Sequence, residues 1–303
     1  GDERKTEITH GEGEIDIESL IKEETNVVTL THFGYVKRIS VDAYRSQRRG
    51  GKGLTAMSTR EEDFVEHLFI TSTHDYIMFF TNTGRAFRLK AYELPEASRT
   101  AKGTAIVNLL QLSQGEKIAA VIPVKDYNAE LYVLMATRNG LVKKTRLEEY
   151  SNIRKSGIQG ITLKEDDELI DVRLTDGKSD VIMVTREGLS IRFAEEEVRA
   201  VGRTSMGVKG INLGKDDKVV GMEPVTSNND YVLAITENGF GKRTEVEEYR
   251  TQARSGKGIL TYKTTNKTGH IIGIEIVKDT DDVMMITDTG VIIRINVKDI
   301  SVL

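Results

Sequence analysis

The feature that most limits what this chain can fold into is a tetrad written six times along it. Thr-x-x-Gly stands at Thr31–Gly34, Thr81–Gly84, Thr137–Gly140, Thr185–Gly188, Thr236–Gly239 and Thr287–Gly290, with successive glycines 50, 56, 48, 51 and 51 residues apart. An apolar tetrapeptide precedes each tetrad, as in Ile77-Met78-Phe79-Phe80, Val181-Ile182-Met183-Val184 and Val283-Met284-Met285-Ile286. A base follows each glycine by four residues: Arg38, Arg88, Lys144, Arg192, Arg243 and Arg294. Such a period marks a repeat architecture. Within each unit, a short apolar run, a turn closed by glycine and a second short run read as a β-hairpin. A basic, glycine-containing loop and another short run follow, and the unit closes on a β-rich stretch such as Lys117–Val124 or Glu168–Leu174. Helical periodicity amounts to a turn at most, at Lys90–Leu94 and Leu147–Tyr150. A four-stranded sheet of about 50 residues buries too little by itself, whereas six stacked radially share their faces and leave few edges. The expectation is an all-β, six-bladed, propeller-like pinwheel over residues 25–303, preceded by an acidic linker at 1–24. The repeated Thr and Gly are read as turn scaffold.

The basic loops carry the functional signal. The first, Gln47-Arg48-Arg49-Gly50-Gly51-Lys52-Gly53, packs three cations and three glycines into seven residues. Glycine lets a backbone approach a flat partner closely, and cations at that spacing suit phosphates. Its equivalents centre on Arg99, Lys102 and Gly103; Arg154, Lys155 and Gly157; Arg203, Gly207 and Lys209; and Arg254, Lys257 and Gly258. Gly53, Gly103, Gly207 and Gly258 each lie 19 residues beyond their hairpin glycine. Further candidate contacts are Arg45 in the first loop and, on the hairpins, Lys37, Arg38, Arg85, Arg88, Lys90, Lys143, Lys144, Arg192, Lys242 and Arg243. Although the net charge is −4, residues 1–24 hold nine acids against three bases, and the five segments from each hairpin glycine through its loop are net positive. Charge sorted along a repeat makes a basic face on an acidic protein. Equivalent positions in a radial array share one edge, so the cations form an arc. A regular arc of cations matches a curved polyanion, and double-stranded DNA is the obvious one. Phosphate contacts would position the duplex without reading its sequence, and aromatics at 6% are scarce for stacking on single strands. Glu195-Glu196-Glu197 dilute Arg192, Arg199, Arg203 and Lys209, so the fourth loop is expected to hold DNA least.

Gln47–Gly53 matches the signature box of the C-terminal domain of the DNA gyrase A protein, and Val28–Arg38 resembles that domain's first blade. The resemblance extends over essentially all 303 residues, and Gly1–Thr6 looks like the point where the breakage-reunion part of that protein ends. It implies a pinwheel whose blades exchange strands and which wraps DNA in a positive sense, the geometry that supports ATP-dependent negative supercoiling. It also implies that Gln47, Arg48, Arg49, Lys52 and the box glycines are the essential element, with the other basic loops as a cumulative track. The implied partners are double-stranded DNA and the remainder of the gyrase A and B proteins in an A2B2 complex, with the isolated domain monomeric. ATP, Mg2+ and the DNA-cleaving tyrosine belong elsewhere in that enzyme, so no cofactor and no catalysis are expected of this chain alone. The sixth hairpin, Val283–Ile295, is followed only by Asn296–Leu303, which predicts a sixth blade that is incomplete or completed by N-terminal residues.

Other classes fit less well. No Gly-x4-Gly-Lys-Ser/Thr phosphate loop is present, and His10, His32, His67, His74 and His270 show no metal-ligand spacing. The acidic runs at Glu61–Asp63, Glu165–Asp167 and Asp279–Asp282 share no motif and read as solvated loops. There is no cysteine, which excludes disulfides and thiolate metal sites and is consistent with a reducing, cytoplasmic and, by the resemblance, nucleoid-associated setting. No apolar run approaches a membrane span. A topoisomerase IV-type docking domain, a protein-binding propeller of the WD40 kind and a propeller enzyme are the rivals. The intact box argues against the first, the absence of tryptophan against the second, and the lack of convergent acids against the third.

Overall fold

The computed structural model describes residues 16–43, 54–55, 63–289 and 291–303. Its strands form six antiparallel sheets, each built on one of the repeated hairpins: Thr25–Thr31 with Tyr35–Ser40, Tyr76–Thr81 with Arg85–Lys90, Tyr132–Thr137 with Leu141–Arg146, Asp180–Thr185 with Leu189–Ala194, Tyr231–Thr236 with Gly241–Glu245, and Asp282–Ile286 with Val291–Asn296. The tetrad explains the turns. In the second sheet Gly84 N–H donates to Thr81 O at 2.9 Å, and Arg85 N–H to Thr81 Oγ1 at 3.1 Å, so one threonine closes the turn twice. Gly84 has φ +88°, and a Cβ there would lie 2.8 Å from Ile161 O, so both conformation and space demand glycine.

Five hairpins gain a strand from their own unit: Val65–Ser72, Ile118–Val124, Leu169–Thr175, Val219–Val225 and Ile271–Val277. These third strands touch their counterparts in the neighbouring sheets, so they converge at the centre. The opposite edge of each sheet therefore faces outward. There the pairing departs from a unit-by-unit reading, because the short strand after each basic loop joins the sheet before it. Thr104–Ala105 pairs with Tyr35 and Val36 of the first sheet, Ile158–Gln159 with the second, Val208–Lys209 with the third and Ile259–Leu260 with the fourth. Leu54–Thr55 pairs with Val291 and Ile292 of the sixth. Among the described residues the fifth sheet has no such outer strand and the sixth no inner one.

The core is divided accordingly. Val36 and Phe79 belong to the cluster between the first two sheets, Met78 and Val133 to the next, then Ala136 and Val181, Val184 and Val232, and Leu233 and Val297. Val27 and Val65 pack with Met284 and Ile286, joining the sixth sheet to the first. Every sheet is covered on both faces, which lets apolar runs replace strict alternation. Each hairpin ends in a single 3-10 turn, for example Ala91–Glu93, Leu147–Tyr150 and Glu195–Glu197. Of the acidic linker, residues 16–24 hold to the second sheet: Thr73 N–H donates to Glu24 O at 3.0 Å, His74 Nε2 lies 2.7 Å from Ile21 O, and Glu18 pairs with Lys90 at 3.0 Å.

Candidate nucleic-acid interface

The base four residues after each hairpin glycine is bound inward, contrary to the expected place of Arg38, Arg88, Lys144, Arg192 and Arg243 among the DNA contacts. Its first partner always stands twelve residues earlier, on the same face of the adjoining strand. Arg38 donates to Asn26 Oδ1 at 3.0 Å, Arg192 to Asp180 Oδ2 at 2.8 Å and Arg294 to Asp282 Oδ2 at 3.0 Å. Arg88, Lys144 and Arg243 instead lie over Tyr76, Tyr132 and Tyr231, at 4.8, 5.0 and 4.5 Å from the ring centroids. Among the described contacts, Arg38, Arg88, Lys144, Arg192 and Arg243 then reach carbonyls in or beside the 3-10 turn of the next unit. Arg38 donates to Leu94 O at 2.8 Å, Arg88 to Ser151 O at 2.8 Å, Lys144 to Glu195 O at 3.4 Å, Arg192 to Val246 O and Tyr249 O at 3.1 Å, and Arg243 to Ile300 O at 2.7 Å. Lys144, Arg192 and Arg243 are buried. A 3-10 turn leaves its last carbonyls without intrahelical donors, and the base supplies one to Leu94, Ser151, Tyr249 and Ile300 O, while Glu195 O and Val246 O also accept from Val198 and Tyr249 N–H. The offset that looks like a charge pattern is a staple between sheets.

The residue three after the glycine points to the other face. Lys37 and Lys143 are 0% and 1% exposed, which also removes them from a surface track. They sit beneath arches of chain, roughly 97–103 and 201–207, that run over the outer edge of the sheet. Lys37 Nζ donates to Ser98, Arg99 and Ala101 carbonyls at 3.0, 2.6 and 3.0 Å. Lys143 Nζ donates to Gly160 O at 2.6 Å and to Arg203 O. Burial lowers their pKa to about 8 and about 7, respectively. Phe87 and Ile191 occupy the same position in the second and fourth sheets. The arches close tightly: at Gly207, φ +88°, a Cβ would lie 2.5 Å from Val142 O.

Three other expected contacts are partly engaged. Arg85 pairs with buried Glu116 at 2.8 Å and donates to Ser156 O, Lys90 pairs with Glu18, and Lys242 lies over Tyr262 at 5.4 Å. The arches themselves carry the outward charge. Arg99, Arg154, Lys155, Lys209 and Lys257 are exposed; Lys102, Arg203 and Arg254 are half-buried. Arg203 donates to Gln159 O and Arg254 to Lys209 O, tying each arch to the outer strand of the previous unit. Glu149 and Glu197 accept from the backbone N–H of Arg203 and Arg254 at 2.8 and 3.2 Å. The three glutamates of the fourth unit do not act alike, since Glu195 is buried, accepts from Thr175 at 2.6 Å and is pushed above its usual pKa by that burial. Arg146 and Arg250, exposed beside acidic turns, were not among the expected contacts. Arg250 stands 51 residues after exposed Arg199, and that recurrence was the available signal. Gln47–Gly53 and Arg45 lie outside the described residues. No cluster of three metal-ligating side chains occurs among those described, and no helix there is long and apolar enough to cross a membrane.

A family profile described as "DNA gyrase C-terminal domain, beta-propeller" matches residues 25–72, 75–125, 131–176, 179–226, 230–278 and 281–303. The DNA gyrase A protein of Clostridium acetobutylicum is 57% identical over 301 residues, which covers 99% of this chain and 36% of that protein. The chain thus spans about a third of the length of that curated relative. A solved structure of the DNA gyrase A C-terminal domain superposes with a TM-score of 0.84 at 27% identity, covering 92% of each chain. The C-terminal domain of a DNA topoisomerase IV does so at 0.70 and 32% identity, covering 93% of this chain and 87% of the other.

Proposed function

The chain belongs to the family of the DNA gyrase C-terminal β-propeller domain, and from that premise we propose that it binds, bends and positively wraps double-stranded DNA around a six-bladed rim without reading sequence. The observation that carries the reading is the division of labour among its cations. One recurrent set is spent between the sheets, while a second set, on the arches, stands outward at equivalent places on successive units. A bound duplex would meet Arg99 and Lys102, then Arg154 and Lys155, then Arg203 and Lys209, then Arg254 and Lys257. The box at 47–53 holds the corresponding place in the sequence repeat, directly before Leu54–Thr55.

Bending 20–30 base pairs by 40–90° costs on the order of 1–6 kcal/mol, which a series of charge-assisted phosphate contacts can offset. Within a gyrase A2B2 assembly the wrapped segment would be presented for strand passage, with ATP, Mg2+ and cleavage chemistry supplied by other parts. On this reading the domain acts by geometry, with the arches offering donors and positive charge to phosphates.

The test is a topoisomer assay. The protein is bound to nicked circular DNA, the nick is ligated, the protein is stripped, and the linking number is read on a chloroquine gel. A positive shift that disappears with Arg48→Ala/Arg49→Ala and diminishes with Arg154→Ala/Lys155→Ala is the expected result. Binding without a shift would move the reading to a topoisomerase IV-type docking surface, the alternative that the second structural likeness favours. No binding at all would leave a protein-interaction propeller.

A further inference from the structure

We propose that Lys37 and Lys143 are proton-linked positioning residues of the rim: as ammonium groups they brace two arches from within and add positive charge behind the outward cations, so that engaging a duplex draws protons onto them. The inference rests on the reading of the rim as a DNA track. Its geometric basis is the five carbonyl contacts already described, all pointing inward at the two ammonium groups. Only the charged form offers three N–H donors, and three carbonyls among the described residues accept from Lys37.

The surroundings set the direction of the linkage. Lys143 is faced by Glu149 from the following turn, which favours its charge, and by Arg203 of the arch, which opposes it. Buried Tyr150, whose phenol is held neutral by burial, donates to Gly160 O at 2.8 Å beside it. The charged side chains on the arch over Lys37 are Arg99 and Lys102, the latter resting 3.6 Å from the Tyr35 ring centroid. In the free protein burial holds both lysines below the ordinary lysine value, at about 8 for Lys37 and about 7 for Lys143. A polyanion laid over the arches raises those values, because nearby opposite charge favours the charged form and buried groups are little screened by salt. A group whose pKa rises on binding takes up protons as the complex forms. Its contribution to affinity is complete below the free-protein value and is lost as pH rises through the bound one.

Calorimetry tests this directly. Heats of binding a 40-base-pair duplex, about that length being chosen to span several arches, are measured in phosphate and in Tris at pH 8.5, where histidines of ordinary pKa are neutral. Net proton uptake is expected for the unaltered chain, reduced in Lys37→Met or Lys143→Met and abolished in the double variant. Methionine keeps the unbranched stem, and Phe87 and Ile191 show that this position accepts apolar side chains. Affinity should also fall with pH, by at most about tenfold per pH unit for each lysine, and the double variant should be flat. Equal uptake in the double variant overturns the proposal, as does no uptake by the unaltered chain. If the double variant does not fold, the single variants decide by the same criterion. Failure of the unaltered chain to bind duplex at any pH would instead count against the DNA track itself.

Discussion

Replacing Arg192 with methionine separates the staple from the track. Methionine retains much of the side-chain volume and removes the guanidinium, which is 9% exposed and makes four contacts: Asp180 at 2.8 Å, Val246 O and Tyr249 O at 3.1 Å, and Asn228 at 2.7 Å. Of the two turn carbonyls, Tyr249 O loses its donor at about 1–3 kcal/mol, whereas Val246 O keeps the Tyr249 N–H at 3.0 Å. Asp180 keeps a donor in Thr251 at 3.0 Å and is partly open to water, so it contributes less. The guanidinium's own desolvation cost is regained, which caps the sum, and removing one partner of such a buried set costs about 3–5 kcal/mol. At about 2–4 °C per kcal/mol for a large domain, the melting temperature should fall by roughly 6–20 °C. Urea unfolding with calorimetry measures it. Duplex affinity and its salt dependence, taken where the variant is folded, should change little. A stability loss below about 1 kcal/mol together with a tenfold loss of affinity would refute the reasoning and return this base to the phosphate track.

The converse variant, Arg154→Ala/Lys155→Ala, removes two exposed side chains and should leave stability within about 0.5 kcal/mol. The slope of log K against log salt should become shallower by up to about 1.8; an unchanged slope would take these residues off the DNA path. Gly207→Ala forces a Cβ to 2.5 Å from Val142 O at positive φ, whereas Gly202→Ala meets nothing within 4 Å. The first should destabilise the chain by about 1–3 kcal/mol and the second by less than 1, as read from urea midpoints; equal effects would mean the arch does not close as described. At the centre, burial raises Glu223 well above its usual pKa against the pull of Arg173 at 3.0 Å, with Glu275 and Asp171 adding to the rise. Its stabilising contribution is therefore present below the unfolded value of about 4.3 and lost as pH rises. Glu223→Gln should accordingly flatten the fall in stability between pH 5 and 7. A variant that loses more at pH 7 than at pH 5 would show that the ionised carboxylate is the favourable form.

The repeat, the six hairpins and the outward basic loops are legible in the sequence because their causes are local. A glycine at positive φ, a threonine positioned to close its own turn and a short apolar run all act within about ten residues, and the period repeats them. What only the tertiary structure decides is which cation faces which way. In a half-buried sheet the side chains at +3 and +4 would divide into one inward and one outward. Here the third sheet lies between two others and its outer edge is roofed by the following unit, so Lys143 and Lys144 are both buried, on opposite faces. The partner twelve residues upstream could be read as a recurrence, but Asn26, Tyr76, Tyr132, Asp180, Tyr231 and Asp282 are chemically mixed and unite only as neighbours of a base. The outer strands show the same limit: two residues carry too little pattern to say which sheet they join, and that choice follows from where the arch ends. The box at 47–53 is the most conspicuous stretch of the sequence, while two of the described arches rest on buried lysines, Lys37 and Lys143, whose partners include carbonyls some sixty positions away.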